Sequence, residues 1–445
     1  MKVLILGTGY VGLVSGSCLA ERGHKVTCFD INSKKIEKLN NLEIPINEKG
    51  LKNLIFKNLN KNLFFTDNLK DSIDKTDLAI ICVGTPVSGK KINLNQVKNI
   101  SKKIGIALKN SKKFYSILVK STVIPGTTDE IVIPILEKYS QKKLGKGFGV
   151  GMNPEFLKEG SAVSDFMNPD RIVIGSSDKK SKKIFEKLYE PFSEIDFIKT
   201  NNRTAETIKY VNNSLLATLI SFSNEIGNLC SSIEGVDAIE VMKGVHLDNR
   251  LSPIKHDGER IVPDIISYLK PGCGYGGSCF PKDTKAFASF GATKDLNMQL
   301  INSVIEINNS QHLEIIKKIK KYYKDFSNLK ISILGLSFKP ETDDIRESPS
   351  IKVIKKLKSM KSKISVYDPI AMENTKSILG IKNIKYCKTL EEACRNSDII
   401  LVLTAWNEFK DLNKILKKVK KNPLVIDGRR FLNKNKFKRF EGIGV

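Results

Sequence analysis

The turn Gly7-Thr8-Gly9-Tyr10-Val11-Gly12 constrains this chain more than any other feature. Residues 2–7 (Lys-Val-Leu-Ile-Leu-Gly) are continuously apolar after the first, as in a parallel strand buried on both faces, and residues 11–22 read as a helix. A second strand, Lys25 to Asp30, ends in an acid 18 residues after Gly12. In such an arrangement the first glycine permits a tight turn, the second lets backbone approach a pyrophosphate, and the third lets helix and strand pack closely. The helix N-terminus then faces phosphate. An acid at position 30 binds a ribose 2′-hydroxyl and favours NAD over NADP, while Lys35 weighs the other way because a cation suits a 2′-phosphate. Strand, glycines, helix, second strand and acid in this order predict a dinucleotide site. A flavin site or a purely structural turn is the alternative.

Further buried strands are expected at Leu78–Val83, Ser116–Lys120, Phe148–Met152 and Arg171–Gly175, with helical patterns between them, as over Val97–Leu108. This alternation predicts a doubly wound α/β domain with a parallel sheet over residues 1–196. Ligands of such sheets lie beyond the carboxyl ends of the strands, which adds Gly84-Thr85-Pro86, Ser121-Thr122 and Asn153-Pro154-Glu155 to the candidate site. From Arg203 to about Glu234 apolar residues recur three or four apart without proline, which predicts one long helix. It makes residues 197–300 a mainly helical middle domain, and a further helix is expected over roughly Asn297–Lys321. Strands at Ile331–Leu334, Ile364–Tyr367, Ile399–Leu403 and Leu424–Ile426 predict a second, smaller α/β domain within 301–445.

The formal net charge of +26 admits nucleic acid, a membrane surface or acidic small molecules as partners. The lysines are scattered between apolar helix positions, and the densest stretch, Lys414 to Arg439, has few aromatics for base stacking. Solvated helix faces, not a nucleic-acid surface, are the expectation. No 18-residue apolar run exists for a membrane helix, and residues 1–7 enter a strand instead of a signal peptide. The eight cysteines fall at irregular spacings without a CxxC pair or clustered histidines, so no metal site or disulfide framework is expected. Reduced thiols suit the cytoplasm.

The most informative stretch is Gly274-Tyr275-Gly276-Gly277-Ser278-Cys279-Phe280-Pro281-Lys282-Asp283. Glycines allow backbone to approach a ligand, and a lysine three residues after Cys279 favours a nucleophilic thiolate. A structural thiol is the alternative, and Cys273 is left to that reading. Glu206, Lys209 and Asn213 share one face of the long helix and need polar partners on an otherwise apolar surface. By themselves they fit a salt bridge or a helix-pairing contact. Glu155 and Glu159 form a third polar cluster, which on charge alone fits a solvated helix start.

Taken together these segments resemble the nucleotide-sugar 6-dehydrogenases of the UDP-glucose/GDP-mannose dehydrogenase family, nearest to the branch acting on UDP-glucose. The resemblance rests on residues 7–12, Ser121-Thr122, Asn153 to Gly160, Lys209 with Asn213, Gly276 to Asp283, Gly335 to Pro340, Thr342 to Ser348, and Asp427-Gly428-Arg429, in family order along nearly the whole chain. It implies an NAD-binding domain, a helical dimerisation domain and a C-terminal domain for the sugar nucleotide, in a homodimer. It also implies oxidation of a C6 hydroxyl to a carboxylate in two steps, consuming two NAD.

By the same resemblance Cys279 is the nucleophile, Lys209 and Asn213 stabilise an oxyanion, Asp283 orders water, and Glu155 and Thr122 handle protons. Cofactor contacts are implied for Gly7, Gly9, Tyr10, Val11, Gly12, Asp30, Lys35, Thr85, Pro86, Ser121, Thr122, Glu159, Lys282 and Arg346. Sugar-nucleotide contacts are implied for Glu155, Phe156, Leu157, Lys158, Glu159, Lys209, Asn213, Arg250, Tyr268, Leu269, Lys270, Gly272, Gly276, Phe338, Lys339 and Arg429. Two departures bear on the substrate. The segment Leu251 to Lys270 is longer than the family's usual, which leaves Arg250 and Arg260 as rivals for one substrate contact. Arg430 also stands where an asparagine is expected, near the sugar-nucleotide side. UDP-glucose is the expected substrate, with GDP-mannose or a UDP-amino sugar as alternatives. A nucleotide-binding regulator or nucleic-acid binder leaves Cys279, Lys209, Asn213 and Asp283 without a joint task.

Overall fold

Val3 and Ile5 pack on one side of the first strand with Leu13, Val14 and Cys18 of the helix Tyr10–Glu21, while Leu4 and Leu6 pack on the other with Val97, Ile100 and Ile104. A strand apolar at every position is stable only when both faces are covered. Each fully buried aliphatic side chain contributes about 1.5–3 kcal/mol. The computed structural model describes every residue except Lys90 and Ser193.

The described residues form strands β1 (Lys2–Leu6), β2 (Lys25–Phe29), β3 (Leu63–Thr66), β4 (Leu78–Ile81), β5 (Val87–Ser88), β6 (Lys91–Ile92), β7 (Tyr115–Val119), β8 (Phe148–Met152), β9 (Ile172–Ser176) and β10 (Phe197–Thr200), followed by β11 (Lys330–Leu334), β12 (Lys363–Tyr367), β13 (Ile384–Tyr386), β14 (Ile399–Val402), β15 (Leu424–Asp427) and β16 (Phe440–Gly442). The first large sheet has the order β10-β9-β8-β7-β4-β1-β2-β3 and the second the order β13-β12-β11-β14-β15-β16. The second is parallel throughout. The first departs from the expected parallel pattern at one place: β8 and β9 pair antiparallel, Gly151 opposite Ser176 and Met152 opposite Gly175. Helix Ala162–Met167 joins these strands, and pairing direction there follows from how that connection packs, which no strand pattern encodes.

The chain divides into two units, Met1–Asn212 and Asn213–Val445. Each contains one of the large sheets. The long helix is present as Asn202–Cys230, ending four residues earlier than the apolar period suggests. Past it the chain makes turns through Ser231–Gly235, where Gly235 takes the left-handed φ of 78°. The helix expected over 297–321 is Gln299–Gln311 followed by Leu313–Tyr322, and His312 between them keeps right-handed helical angles (φ −62°, ψ −21°). That interruption is one residue of lost ladder, not a loop. No helix among the described residues is long and apolar enough to cross a membrane.

Candidate active site

In the first unit the three glycines of the dinucleotide turn do different work. Gly7 takes φ 100°, a conformation costly for residues with a Cβ. A Cβ on Gly12 would lie 1.9 Å from the Gly7 carbonyl oxygen, so the helix sits against the turn as closely as backbone permits. A Cβ on Gly9 would meet nothing within 4 Å. Gly9 is also the helix N-cap, with no side-chain cap, so the first amides of Tyr10, Val11 and Gly12 lack a capping side chain from it. Open space beside uncapped helix amides fits a pyrophosphate. Asp30 accepts from Thr8 N at 2.9 Å and Thr8 Oγ1 at 2.8 Å, and Lys35 Nζ lies 3.5 Å away. Burial alone would raise the Asp30 carboxyl, but Thr8, Asn32 and Lys35 outweigh it and hold it below its usual range. Lys35 is thus paired with the acid it seemed to compete with.

At neighbouring strand ends Thr85 Oγ1 donates to the Thr122 carbonyl at 2.8 Å and Ser121 Oγ to the Val83 carbonyl at 2.7 Å. Pro86 is exposed beside them. Beyond β8, residues 153–158 have neither helix nor strand, which excludes a solvated helix start. Glu155 is buried and accepts from Lys209 Nζ at 2.8 Å and from Leu157 N at 2.8 Å. Burial opposes its charge, yet Lys209 reverses the balance and holds the Glu155 carboxyl below its ordinary range. Phe156 carries the Arg171 guanidinium 4.0 Å above its ring, and Lys158 pairs with Asp165 at 3.4 Å on the exposed side. Glu159 is half-buried.

Glu206 does not join this pair. It is buried against Gly126 N (2.6 Å), Thr128 N (2.8 Å) and Thr128 Oγ1 (2.6 Å). Burial pushes its carboxyl up to about 7 against those three donors. It fastens the helix to the turn after β7, which is neither of the roles expected for it, a salt bridge or a helix-pairing contact.

Lys120, which its sequence position did not single out, belongs to the Glu155 neighbourhood. It is buried at the end of β7 and donates to Asn153 Oδ1 at 2.8 Å, while Asn153 Nδ2 holds the Val173 carbonyl at 2.8 Å. Burial pulls its ammonium down to about 8. A lysine ending a continuously apolar strand was the available signal.

In the second unit Cys279 stands immediately before the helix Phe280–Ala292, half-buried, with Ser278 Oγ within 3.6 Å of its sulfur. Helix N-termini favour negative charge. One turn on, buried Asp283 accepts from Asn213 Nδ2 at 2.7 Å and from Lys282 Nζ. The glycines leading to the cysteine leave little room for a side chain. A Cβ on Gly276 would lie 2.6 Å from the Glu347 carbonyl oxygen, and one on Gly277 2.8 Å from the Phe338 ring. Three amide side chains absent from the sequence reading hold this loop. Asn224 Oδ1 accepts from Gly272 N at 2.7 Å, Gln311 Nε2 donates to the Gly272 carbonyl at 2.8 Å, and Asn308 bonds both Tyr275 N and the Tyr275 carbonyl. Buried amides in apolar helices read as helix-pairing contacts from sequence alone.

Arg429 grips the carbonyls of Leu403 (2.7 Å), Gly274 (2.8 Å) and Phe338 (3.2 Å), which places it beside Phe338 and Lys339. Arg430 points elsewhere. Its buried guanidinium binds Asp237 at 2.7 Å and the Ile443 carbonyl at 2.7 Å, so the departure at 430 serves as a structural tie. Arg260 is occupied by the Leu247 and Ser252 carbonyls, whereas exposed Arg250 pairs only with Asp248 at 2.6 Å among the described residues. Tyr268 stacks at a tilt near Phe280, Leu269 is buried and Lys270 exposed. Arg346 is exposed and paired with Asp344 at 2.7 Å.

Residues 1–193 match the NAD binding domain of the UDP-glucose/GDP-mannose dehydrogenase family, 203–310 its central domain and 332–434 its UDP binding domain. UDP-glucose 6-dehydrogenase TuaD of Bacillus subtilis is 40% identical over 431 residues, covering 96% of this chain and 89% of the relative. The UDP-glucose 6-dehydrogenase of Rickettsia conorii is 37% identical over 442 residues, covering 99% and 97%. Among solved structures, a UDP-glucose dehydrogenase from Pyrobaculum islandicum matches with a TM-score of 0.90 at 32% identity, covering 100% of this chain and 97% of that one. A UDP-D-ManNAc dehydrogenase from Pyrococcus horikoshii matches at 0.83 and 27%, covering 100% and 99%.

Proposed function

The chain belongs to the UDP-glucose/GDP-mannose dehydrogenase family, and from that premise we propose that it oxidises C6 of UDP-glucose to the carboxylate of UDP-glucuronate, with NAD as oxidant. The observation carrying this reading is Cys279, the one cysteine of the eight that is not buried, at the end of a loop where a Cβ on Gly276 or Gly277 would crowd its neighbours. Gly9, Gly12 and Asp30 hold NAD, which when bound accepts a hydride in each of the two oxidations.

The first oxidation converts the C6 alcohol to an aldehyde. Cys279 Sγ then adds to the aldehyde carbon, and the carbonyl oxygen becomes an oxyanion that Lys209 and Asn213 stabilise. Preorganised donors of this kind contribute about 2.7–4 kcal/mol each to a transition state. Oxidation of the thiohemiacetal leaves a thioester. Water ordered by Asp283 cleaves it to the carboxylate and the free thiol, with Glu155 and Thr122 relaying protons. The ion pair keeps Glu155 a carboxylate, the form that accepts a proton. The same reading gives residues 1–196 to NAD, 197–300 to dimerisation and 301–445 to the UDP moiety. Exposed Leu215, Phe222 and Leu229 support a homodimer, and eight cysteines outside any disulfide support residence in the cytosol. Light scattering at the mass of a monomer would remove the dimer.

The test is NADH production from UDP-glucose, GDP-mannose, UDP-N-acetylmannosamine and UDP-galactose, separately. Two NADH per UDP-glucose and little from the others is expected. Two from GDP-mannose instead would overturn the substrate, and none from any would overturn the enzyme. Cys279→Ser is expected to lose net acid formation by at least about a thousandfold. Full turnover by that variant would sink the covalent route.

A further inference from the structure

Glu48 is a buried carboxylate that the mechanism does not use. It lies before the helix Leu51–Asn58, in a stretch without helix or strand. Its Oε2 accepts from the Tyr10 hydroxyl and from Gly160 N at 2.7 Å, and its Oε1 accepts from Ala162 N at 2.9 Å. Tyr10 is the first residue of the helix that opens at the dinucleotide turn. Gly160, at φ 88°, and Ala162 close the loop that carries Glu155 and Glu159. Residues 38 and 112 positions away from Glu48 are thus held by one carboxylate. Hydrogen bonds to a charged acceptor are roughly twice as strong as neutral ones, and three donors on two oxygens fix both elements relative to each other.

We infer that Glu48 is a positioning residue that transmits occupancy of the dinucleotide turn to the loop Glu155–Gly160, so that bound NADH orders the residues proposed to meet the sugar nucleotide. The inference rests on the dinucleotide reading given above. A glutamine at 48 keeps the volume but offers one acceptor oxygen, and its amide hydrogens oppose a backbone N–H. A plain loop anchor and a transmitter differ in what they predict. An anchor lowers protection of the loop equally with and without NADH. A transmitter removes the change that NADH produces.

The experiment is amide hydrogen exchange on the full chain with and without saturating NADH, for the wild type, Glu48→Gln and Tyr10→Phe. In the wild type NADH is expected to slow exchange about tenfold or more at both 7–12 and 156–164. In Glu48→Gln the slowing at 7–12 stays and that at 156–164 disappears. With UDP-glucose the same variant is expected to show KM raised about tenfold and kcat within about a factor of two. Tyr10→Phe removes one of the three bonds and is expected to lie between, which keeps the test open if Glu48→Gln fails to fold. Equal NADH-induced slowing of 156–164 in wild type and variants overturns the transmission, as does a wild type in which only 7–12 responds. No slowing at 7–12 in the wild type overturns the dinucleotide reading itself, and the transmission with it.

Discussion

The two large sheets begin with the same device and use it differently. In the first, Gly7 at φ 100° follows β1, its N–H donates to the Phe29 carbonyl at 2.8 Å, and Asp30 stands at the end of β2. In the second, Gly335 at φ 90° follows β11, its N–H donates to the Tyr367 carbonyl at 2.8 Å, and Asp368 stands at the end of β12. Asp30 remains partly exposed, with Thr8, Asn32 and Lys35 around it. Asp368 is buried under donors from Leu336 N, Ser337 N and Oγ, Ile370 N, Ala371 N and the indole of Trp406. The first turn enters a helix at Tyr10, whereas the next helix after Gly335 starts only at Pro349. An acid at a strand end is therefore not by itself a ribose ligand. It binds a ligand where its lone pairs and the adjoining amides face open space, and it becomes a structural post where neighbouring backbone saturates it.

The largest effect that sharpens this contrast is expected from Asp368→Ala. It orphans four backbone amides and an indole and should destabilise the protein by about 3–5 kcal/mol in chemical denaturation. A loss below about 1 kcal/mol would break the comparison. Next comes Gly12→Ala, whose methyl would lie 1.9 Å from a carbonyl oxygen, so NADH affinity should fall at least about a hundredfold in a titration of protein fluorescence. Gly9→Ala has room for its methyl in the unliganded chain. Its stability should change by less than about 1 kcal/mol while NADH binding still weakens.

Asp30→Ala should cost about tenfold in NADH affinity and narrow the preference over NADPH, because Lys35 is released to meet a 2′-phosphate. Unchanged discrimination would assign Asp30 the structural role of Asp368. The smallest effect is on pH. The Asp30 carboxyl lies below its ordinary value of 3.8, so it contributes stability that is present above that value and lost as pH falls through the lower folded value. The stability difference between wild type and Asp30→Asn should therefore shrink on acidification below about pH 4. A difference that stays constant there would contradict the assigned cause.

Much of this was legible beforehand where the cause is local. The strands β1, β2, β4, β8 and β14 fall within a residue or two of their apolar runs, because burial on both faces requires such runs. The turn at residues 7–12 was readable because each glycine answers a steric demand of its immediate neighbours. The partners of charged side chains were not. Glu206, Lys209 and Asn213 share a helical stripe, yet one fastens a turn, one pairs with Glu155 and one holds Asp283. Glu48 resembles any other glutamate in a chain so rich in charge, and only its burial sets it apart. The antiparallel pairing of β8 with β9 was hidden for a related reason, since a strand's pattern reports its burial and not its neighbour's direction.

By itself the sequence determined the two α/β halves, the helical stretch between them, the dinucleotide turn and the loop that ends in Cys279. These follow from periodicity and from backbone conformations that only particular residues adopt, which are properties of a few consecutive positions. The tertiary structure alone decided which acids stay open to ligands and which are closed. Asp368 is saturated because Trp406, 38 positions on, packs over it, and Glu48 is engaged because Gly160 and Ala162 come to it from beyond β8. Hydrogen bonds form over about 3 Å, and that proximity is set by the packing of sheets and helices rather than by neighbours in sequence.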